Sequence, residues 1–198
     1  MEIGVDAVEF DVRRAGSGEL VVIHDDKVDR TTNGSGAVNA LSLSEIRRLT
    51  TEKGGKIPTL EEALDYLDNK VRILVELKET GLEEGLLALI RKKNLARNVI
   101  IISFLEEALR KIRSMEGNIE TGLIYVQHEN PIEAALDLGA SYILPLYRFT
   151  NSELVRKAHD NGLKVIVWTI NSREVASRFA KKGVDGITSD KPSILMSL

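Results

Sequence analysis

A parallel α/β barrel of the (β/α)8 type, short of its first strand-helix unit, is the fold the sequence predicts. Three observations predict it. Short apolar runs rich in β-branched residues alternate with amphipathic segments, the pattern of strands each followed by a helix and of a parallel sheet with helices outside. Helix-start signals recur between the runs: Thr59 with Glu62, Thr150 with Glu153 and Asn171 with Glu174 have capping-box spacing, and Asn130-Pro131 offers an N-cap followed by proline. Helix-stop signals recur too, with glycine just ahead of the next strand in Leu138-Gly139-Ala140, Asn161-Gly162-Leu163 and Lys182-Gly183-Val184.

Taken in order, parallel strands are predicted over residues 6–12, 72–78, 99–104, 121–126, 142–146, 164–170 and 186–190. The opening Met1-Glu2-Ile3-Gly4-Val5-Asp6 has the form of Lys181-Lys182-Gly183-Val184-Asp185, so the chain reads as starting at the last turn of a helix. Seven parallel strands, in a chain of 198 residues, leave a barrel of about 250 residues one strand-helix unit short at its front. The chain reads as a single domain over residues 1–198, incomplete at its N-terminus.

The first strand has an antiparallel companion. Val8-Glu9-Phe10-Asp11-Val12 and Leu20-Val21-Val22-Ile23-His24-Asp25 flank Gly16-Ser17-Gly18, a hairpin pattern. Side chains alternate along a strand, so Glu9 and Asp11 share one face. A turn centred near Ser17 brings His24 back to the level of Phe10, close to both acids. Residues 26–58 form a long excursion with a short helix expected from Ser42 to about Leu49. Coming directly after His24, it reads either as a lid or as a surface turn cluster.

Bulk numbers exclude several classes. The net charge of −3 carries no basic stripe, which argues against a nucleic-acid partner. No cysteine is present, so disulfides and thiolate metal sites are out. No apolar run approaches ~20 residues, so no membrane span is expected. The absence of a basic-then-apolar start points to the cytoplasm.

The candidate chemistry sits at strand ends. Glu76 and Lys78 share a face of Leu74-Val75-Glu76-Leu77-Lys78 at the C-terminal end of a strand, where barrels build their sites. Glu9, Asp11 and Glu76 set against Lys78 leave two negative charges, matching a divalent cation, and all-oxygen ligands suit Mg²⁺, Ca²⁺ or Mn²⁺. An interior salt-bridge network between Lys78 and the acids is the structural alternative. His24 is a candidate general acid or base. His128 and His159 read as structural. Trp168, the lone tryptophan, either walls a substrate pocket or fills the core. Ser103-Phe104 and Pro145 occupy corresponding strand ends, and 188–192 reads as structural.

Together, Glu9-x-Asp11, Leu20-Val21-Val22-Ile23-His24-Asp25, Asp29-Arg30-Thr31-Thr32-Asn33-Gly34, Ile57-Pro58-Thr59-Leu60-Glu61-Glu62, Val75-Glu76-Leu77-Lys78 and Trp168-Thr169-x-Asn171 resemble the glycerophosphodiester phosphodiesterase family, in order and spacing, nearly end to end. The resemblance implies a TIM barrel hydrolysing glycerophosphodiesters to glycerol 3-phosphate and an alcohol, a small-molecule substrate. It implies that Glu9, Asp11 and Glu76 hold Ca²⁺ or Mg²⁺, that His24 is one of two acid/base histidines and that Lys78 contacts phosphate. It also allows the glycerol hydroxyl to attack first, giving a cyclic phosphate.

The family's opening His-Arg-Gly strand, with the second histidine and a phosphate-binding arginine, has no counterpart here. A misassigned or trimmed start, a strand supplied by another chain, and a homologue that binds without turnover each account for that. The expectation is family activity for the complete gene product, and metal binding with little or no turnover for the 198 residues as written. An open sheet edge also predicts self-association into a homo-oligomer. Two other classes compete: a non-catalytic module binding phosphodiester head groups, and an aldolase-type barrel lyase using Lys78 or a metal enolate.

Overall fold

The computed structural model describes residues 4–67 and 70–196, which form two compact units, residues 7–99 and residues 4–6 with 100–196.

The first unit is organised on β1 (Ala7–Arg14). The glycine turn folds β2 (Leu20–Val22) back antiparallel on one edge, with Val12 opposite Val22 and Arg14 opposite Leu20. Gly18, at φ +107°, supplies the left-handed turn residue. On the other edge β3 (Arg72–Leu77) runs parallel to β1, with Glu9 opposite Leu74 and Asp11 opposite Glu76. The hairpin and the parallel pairing are as the alternation predicts, with two corrections of extent. β1 continues through Arg14 because its end pairs with β2. β2 ends at Val22 rather than at 25: Ile23 N still donates to Asp11 O at 3.0 Å, but His24 and Asp25 then leave the ladder.

Residues 26–58 are a folded insertion with its own core, in which Val28, Val38, Ile46 and Ile57 pack on Ala15, Val21 and Ile23. Short bridges, Lys27 with Ala37 and Thr32 with Thr51, close it. Its helix α1 (Leu43–Ile46) starts at the Ser42–Glu45 capping box but stops three residues before the predicted end. Beyond Ile46 the amides of Arg48 and Leu49 reach back only three residues, to Glu45 O and Ile46 O, so the turns tighten out of the α geometry. α2 (Leu60–Leu67) begins at the capping box read from sequence, with Thr59 N donating to Glu62 Oε2 and Glu62 N to Thr59 Oγ1. α3 (Glu83–Lys92) follows β3.

The second unit repeats strand and helix: β4 (Val99–Ser103), α4 (Glu106–Met115), β5 (Glu120–Tyr125), α5 (Pro131–Asp137), β6 (Tyr142–Pro145), α6 (Ser152–Asp160), β7 (Lys164–Val167), α7 (Arg173–Lys181) and β8 (Gly186–Ile187). The five strands pair in order and in parallel. β1 and β3 run parallel to each other and β4 to β8 do so among themselves, so each of the seven expected strands is found among the described residues. Leu123, Ile143, Val165 and Val167 pack against Leu109, Val155, Ala176 and Phe179 of the helices, which defines the helix-facing side of each strand.

The 164–170 strand ends early, at Val167. Ile170 N instead donates to Thr188 O, in the connection beyond β8. Two caps also move. Thr150 Oγ1 donates to Leu146 O, and Asn151 caps α6 by accepting from Leu154 N at 2.8 Å. Asn171 is drawn away from α7 by Asp190 and Ser189, leaving Ser172 at the N-cap without a side-chain bond. Asn130 and Pro131 start α5 as read. Gly183 takes the left-handed conformation its position requires (φ +80°), and Gly4 matches it at φ +77°; the helix end read at Met1–Ile3 lies outside the described residues.

Candidate metal and phosphate site

The site is built by the β1–β3 pairing in the first unit. Period two puts Glu9 and Asp11 on one face of β1, and the parallel register sets Glu76 level with Asp11. Each of these three residues can offer a carboxylate oxygen within 4.8 Å of the other two. Lys78 N, donating to Val12 O at 3.3 Å, extends the ladder by one step past β3 and returns the Lys78 side chain to the same face. Its ammonium lies 2.9 Å from Asp11 Oδ1 and 2.5 Å from Glu76 Oε1. The salt-bridge network weighed from sequence is therefore present. It does not exhaust the acids.

Glu9 is the remainder. Its Oε1 is buried with no hydrogen-bond partner, a costly state for a carboxylate. Burial first, and then the Asp11 and Glu76 charges, push its carboxyl up to about 8, against the opposing pull of Lys78. Burial also raises Glu76, although Lys78 pulls it down. Lys78 is drawn down by burial, but Glu76 and Asp11 outweigh that and its net direction is up. Three converging carboxylates, one ammonium and an orphaned buried oxygen fit a divalent cation held by oxygen ligands.

His24 sits just past β2, one residue beyond the Ile23 N to Asp11 O bond that closes the β1–β2 ladder. Its imidazole is 63% exposed, and Nδ1 lies 2.7 Å from Asp25 Oδ1. It is near enough to Glu76 to help lower that carboxyl. Arg13 Nε donates to His24 O at 2.9 Å, and Glu79 joins the ends of β1 and β3 by accepting from Arg14 N and pairing with Arg13. Arg30 grips Asp25 through Nε and Nη2, at 2.5 and 2.9 Å. Sequence reading assigned no role to Asp25, Arg30, Arg13 or Glu79. The adjacency of His24 and Asp25, with Arg30 five residues on, was the available signal.

Trp168 belongs to the second unit. Its indole donates to Leu144 O at 2.7 Å, and Phe104 meets its ring edge-on with centroids 5.6 Å apart. Half-buried and partly wet, it fits neither a pure core role nor a fully exposed one. Ser103 is buried and accepts from Leu105 N. His128 and His159 each pair with a carboxylate, Glu106 at 3.5 Å and Asp185 at 2.8 Å. Among the described residues, no helix is long and apolar enough to cross a membrane.

Comparison with known proteins bears on this geometry. Residues 1–194 match the model of the glycerophosphoryl diester phosphodiesterase family. A glycerophosphodiester phosphodiesterase of Caldanaerobacter subterraneus is 38% identical over 212 residues, covering 100% of this chain and 87% of that protein. One from Bacillus subtilis is 32% identical over 219 residues, covering 96% and 75%. The crystal structure of the Agrobacterium tumefaciens glycerophosphodiester phosphodiesterase superposes with a TM-score of 0.89 at 27% identity, covering 100% of this chain and 89% of that one. An Oleispira antarctica phosphodiesterase, solved in complex with the product sn-glycerol-3-phosphate, superposes equally well, with a TM-score of 0.89 at 27% identity and coverage of 99% and 85%. The TIM-barrel fold class expected from the sequence is that of this family.

Proposed function

This chain belongs to the glycerophosphoryl diester phosphodiesterase family, and we propose how its own residues serve the hydrolysis of a glycerophosphodiester to glycerol 3-phosphate and an alcohol. The observation that carries the reading is the convergence of Glu9, Asp11 and Glu76, with one Glu9 oxygen left unpartnered in a buried position. These three would hold Mg²⁺ or Ca²⁺. A cation held there would supply polarisation of a nonbridging phosphoryl oxygen and offset charge developing in the displacement. Lys78, held by Asp11 and Glu76, presents an ammonium to the phosphate. His24 moves a proton to or from the attacking or leaving oxygen. Trp168 is assigned to substrate contact as well. The product complex of the Oleispira antarctica relative supports a small phosphate ester as ligand.

We place the reaction in the cytoplasm and read the chain as one catalytic domain; both extend the sequence reading. Self-association through a sheet edge likewise rests on the sequence, and a strictly monomeric sedimentation profile would contradict it.

The test is release of glycerol 3-phosphate from glycerophosphoethanolamine by the purified chain, with Mg²⁺ or Ca²⁺ and with EDTA. Cation-dependent product, lost in Glu9→Gln and Glu76→Gln, is the expected result. The extent of turnover, expected from sequence to be little or none for these 198 residues, is read in the same assay. Binding of the diester without any product would identify a non-catalytic binding module instead.

A further inference from the structure

We propose that Asp25, clamped by Arg30, is a positioning residue for His24: it holds the imidazole with its proton on Nδ1 and leaves Nε2 as the atom that exchanges protons with substrate. The inference rests on the reading of His24 as the acid/base.

The geometry is a three-part relay within the first unit. His24 Nδ1 stands 2.7 Å from Asp25 Oδ1. Arg30 closes on both oxygens of the same carboxylate, Nε to Oδ2 at 2.5 Å and Nη2 to Oδ1 at 2.9 Å. An ionised carboxylate only accepts hydrogen bonds. So in the Asp25–His24 bond the donor must be Nδ1–H. The two-pronged Arg30 contact favours that ionised state and restricts the carboxylate's rotation. It acts together with the His24 bond to hold the Asp25 carboxyl well below the usual range.

Main chain and ring are held separately. Arg13 Nε binds the His24 carbonyl at 2.9 Å. Arg13 is itself mostly buried and paired with Glu79. That contact sets where the residue's backbone lies, and nothing in it selects a tautomer. Asp25 supplies the missing constraint, by the logic through which a carboxylate fixes the tautomer of a catalytic histidine. During turnover Nε2 accepts the proton of the attacking hydroxyl or water, or returns it to the leaving oxygen. Asp25 keeps its charge throughout and opposes the imidazolium that forms.

A purely structural reading is that Asp25 and Arg30 only staple the chain between β2 and the insertion. The two readings separate in one experiment. The ¹⁵N-labelled full chain is examined by long-range ¹H–¹⁵N correlation of its histidine rings, at a pH above the ring titration. The His24 signals are identified by their loss in His24→Asn. The wild type is expected to show His24 protonated on Nδ1. Asp25→Asn is expected to lose that preference, to drop kcat for glycerophosphoethanolamine on the order of 100-fold, and to leave KM and the melting temperature nearly unchanged. Arg30→Lys keeps the charge but loses the fork, and is expected to fall between the two. It carries the test should Asp25→Asn fail to fold.

A wild-type His24 protonated on Nε2, or a tautomer unmoved by either substitution, overturns the proposal. If the tautomer behaves as stated while the wild type gives no product with either cation, the positioning relation stands and the hydrolase reading falls.

Discussion

Asp11 and Glu76 face each other across two neighbouring parallel strands and share one ammonium, that of Lys78, at 2.9 and 2.5 Å. A bound dication would be drawn to the same oxygens, so the position of Lys78 and the occupancy of the site are coupled. All three side chains are at most about one-fifth exposed, so solvent screens their charges only in part.

Lys78→Met should therefore destabilise the cation-free protein. Two largely buried carboxylates lose their partner beside an already unpaired Glu9, a cost of about 2–3 kcal/mol. Mg²⁺ or Ca²⁺ should then raise the melting temperature of the variant more than that of the wild type, because the ion replaces the lost charge. Differential scanning calorimetry with EDTA and with each cation checks this. Equal shifts in both proteins would mean that the cation binds elsewhere.

Glu9 gives a pH dependence. Its carboxyl is raised from 4.5 to about 8 in the folded chain. Between those values the native state keeps a proton that the unfolded state has lost, so stability falls as pH rises across this window and levels off above it. In EDTA, the wild type should lose stability on the order of a few kcal/mol from pH 5 to 8. Glu9→Gln should flatten most of that slope. Cation binding, which displaces the proton, should tighten as pH rises over the same range. Urea melts at several pH values measure the first effect and calorimetric titration the second.

Gly122 tests packing away from the acids. A Cβ there would lie 2.5 Å from Leu144 Cδ1, 3.1 Å from Tyr142 Cβ and 3.2 Å from Ile102 Cγ2. Gly122→Ala should cost about 1–3 kcal/mol through overpacking. Cation affinity should be unchanged, which a parallel melt and titration would show.

Trp168 tests the substrate assignment. Trp168→Ala removes the edge contact with Phe104 and the bond to Leu144 O. If the indole touches substrate, KM for glycerophosphoethanolamine should rise about 3- to 10-fold, the worth of one aromatic contact. A variant with unaltered KM and a lowered melting temperature would return Trp168 to the core.

Much of the site was legible in the sequence because the strand repeat is short. Two residues apart means one face, so periodicity alone sets Glu9 beside Asp11 and Glu76 beside Lys78. The capping box at Thr59 was equally legible, since both partners lie within one turn. Thr150 and Asn171 misled for the converse reason. Their side chains found partners that local spacing does not reveal, the Leu146 carbonyl for one and the chain around Asp190 for the other.

By itself, then, the sequence determined the alternation of strand and helix, the hairpin on β1, the family, and which acids share a face. Only the tertiary structure decided that Asp11 stands level with Glu76, that Lys78 is spent on those two and leaves Glu9 over, and that His24 leans on Asp25 under the grip of Arg30. The physical reason is that periodicity records the direction of a side chain relative to its own backbone. The partner a side chain meets depends on register between strands and on how a 33-residue insertion (26–58) folds back, and no local repeat encodes either.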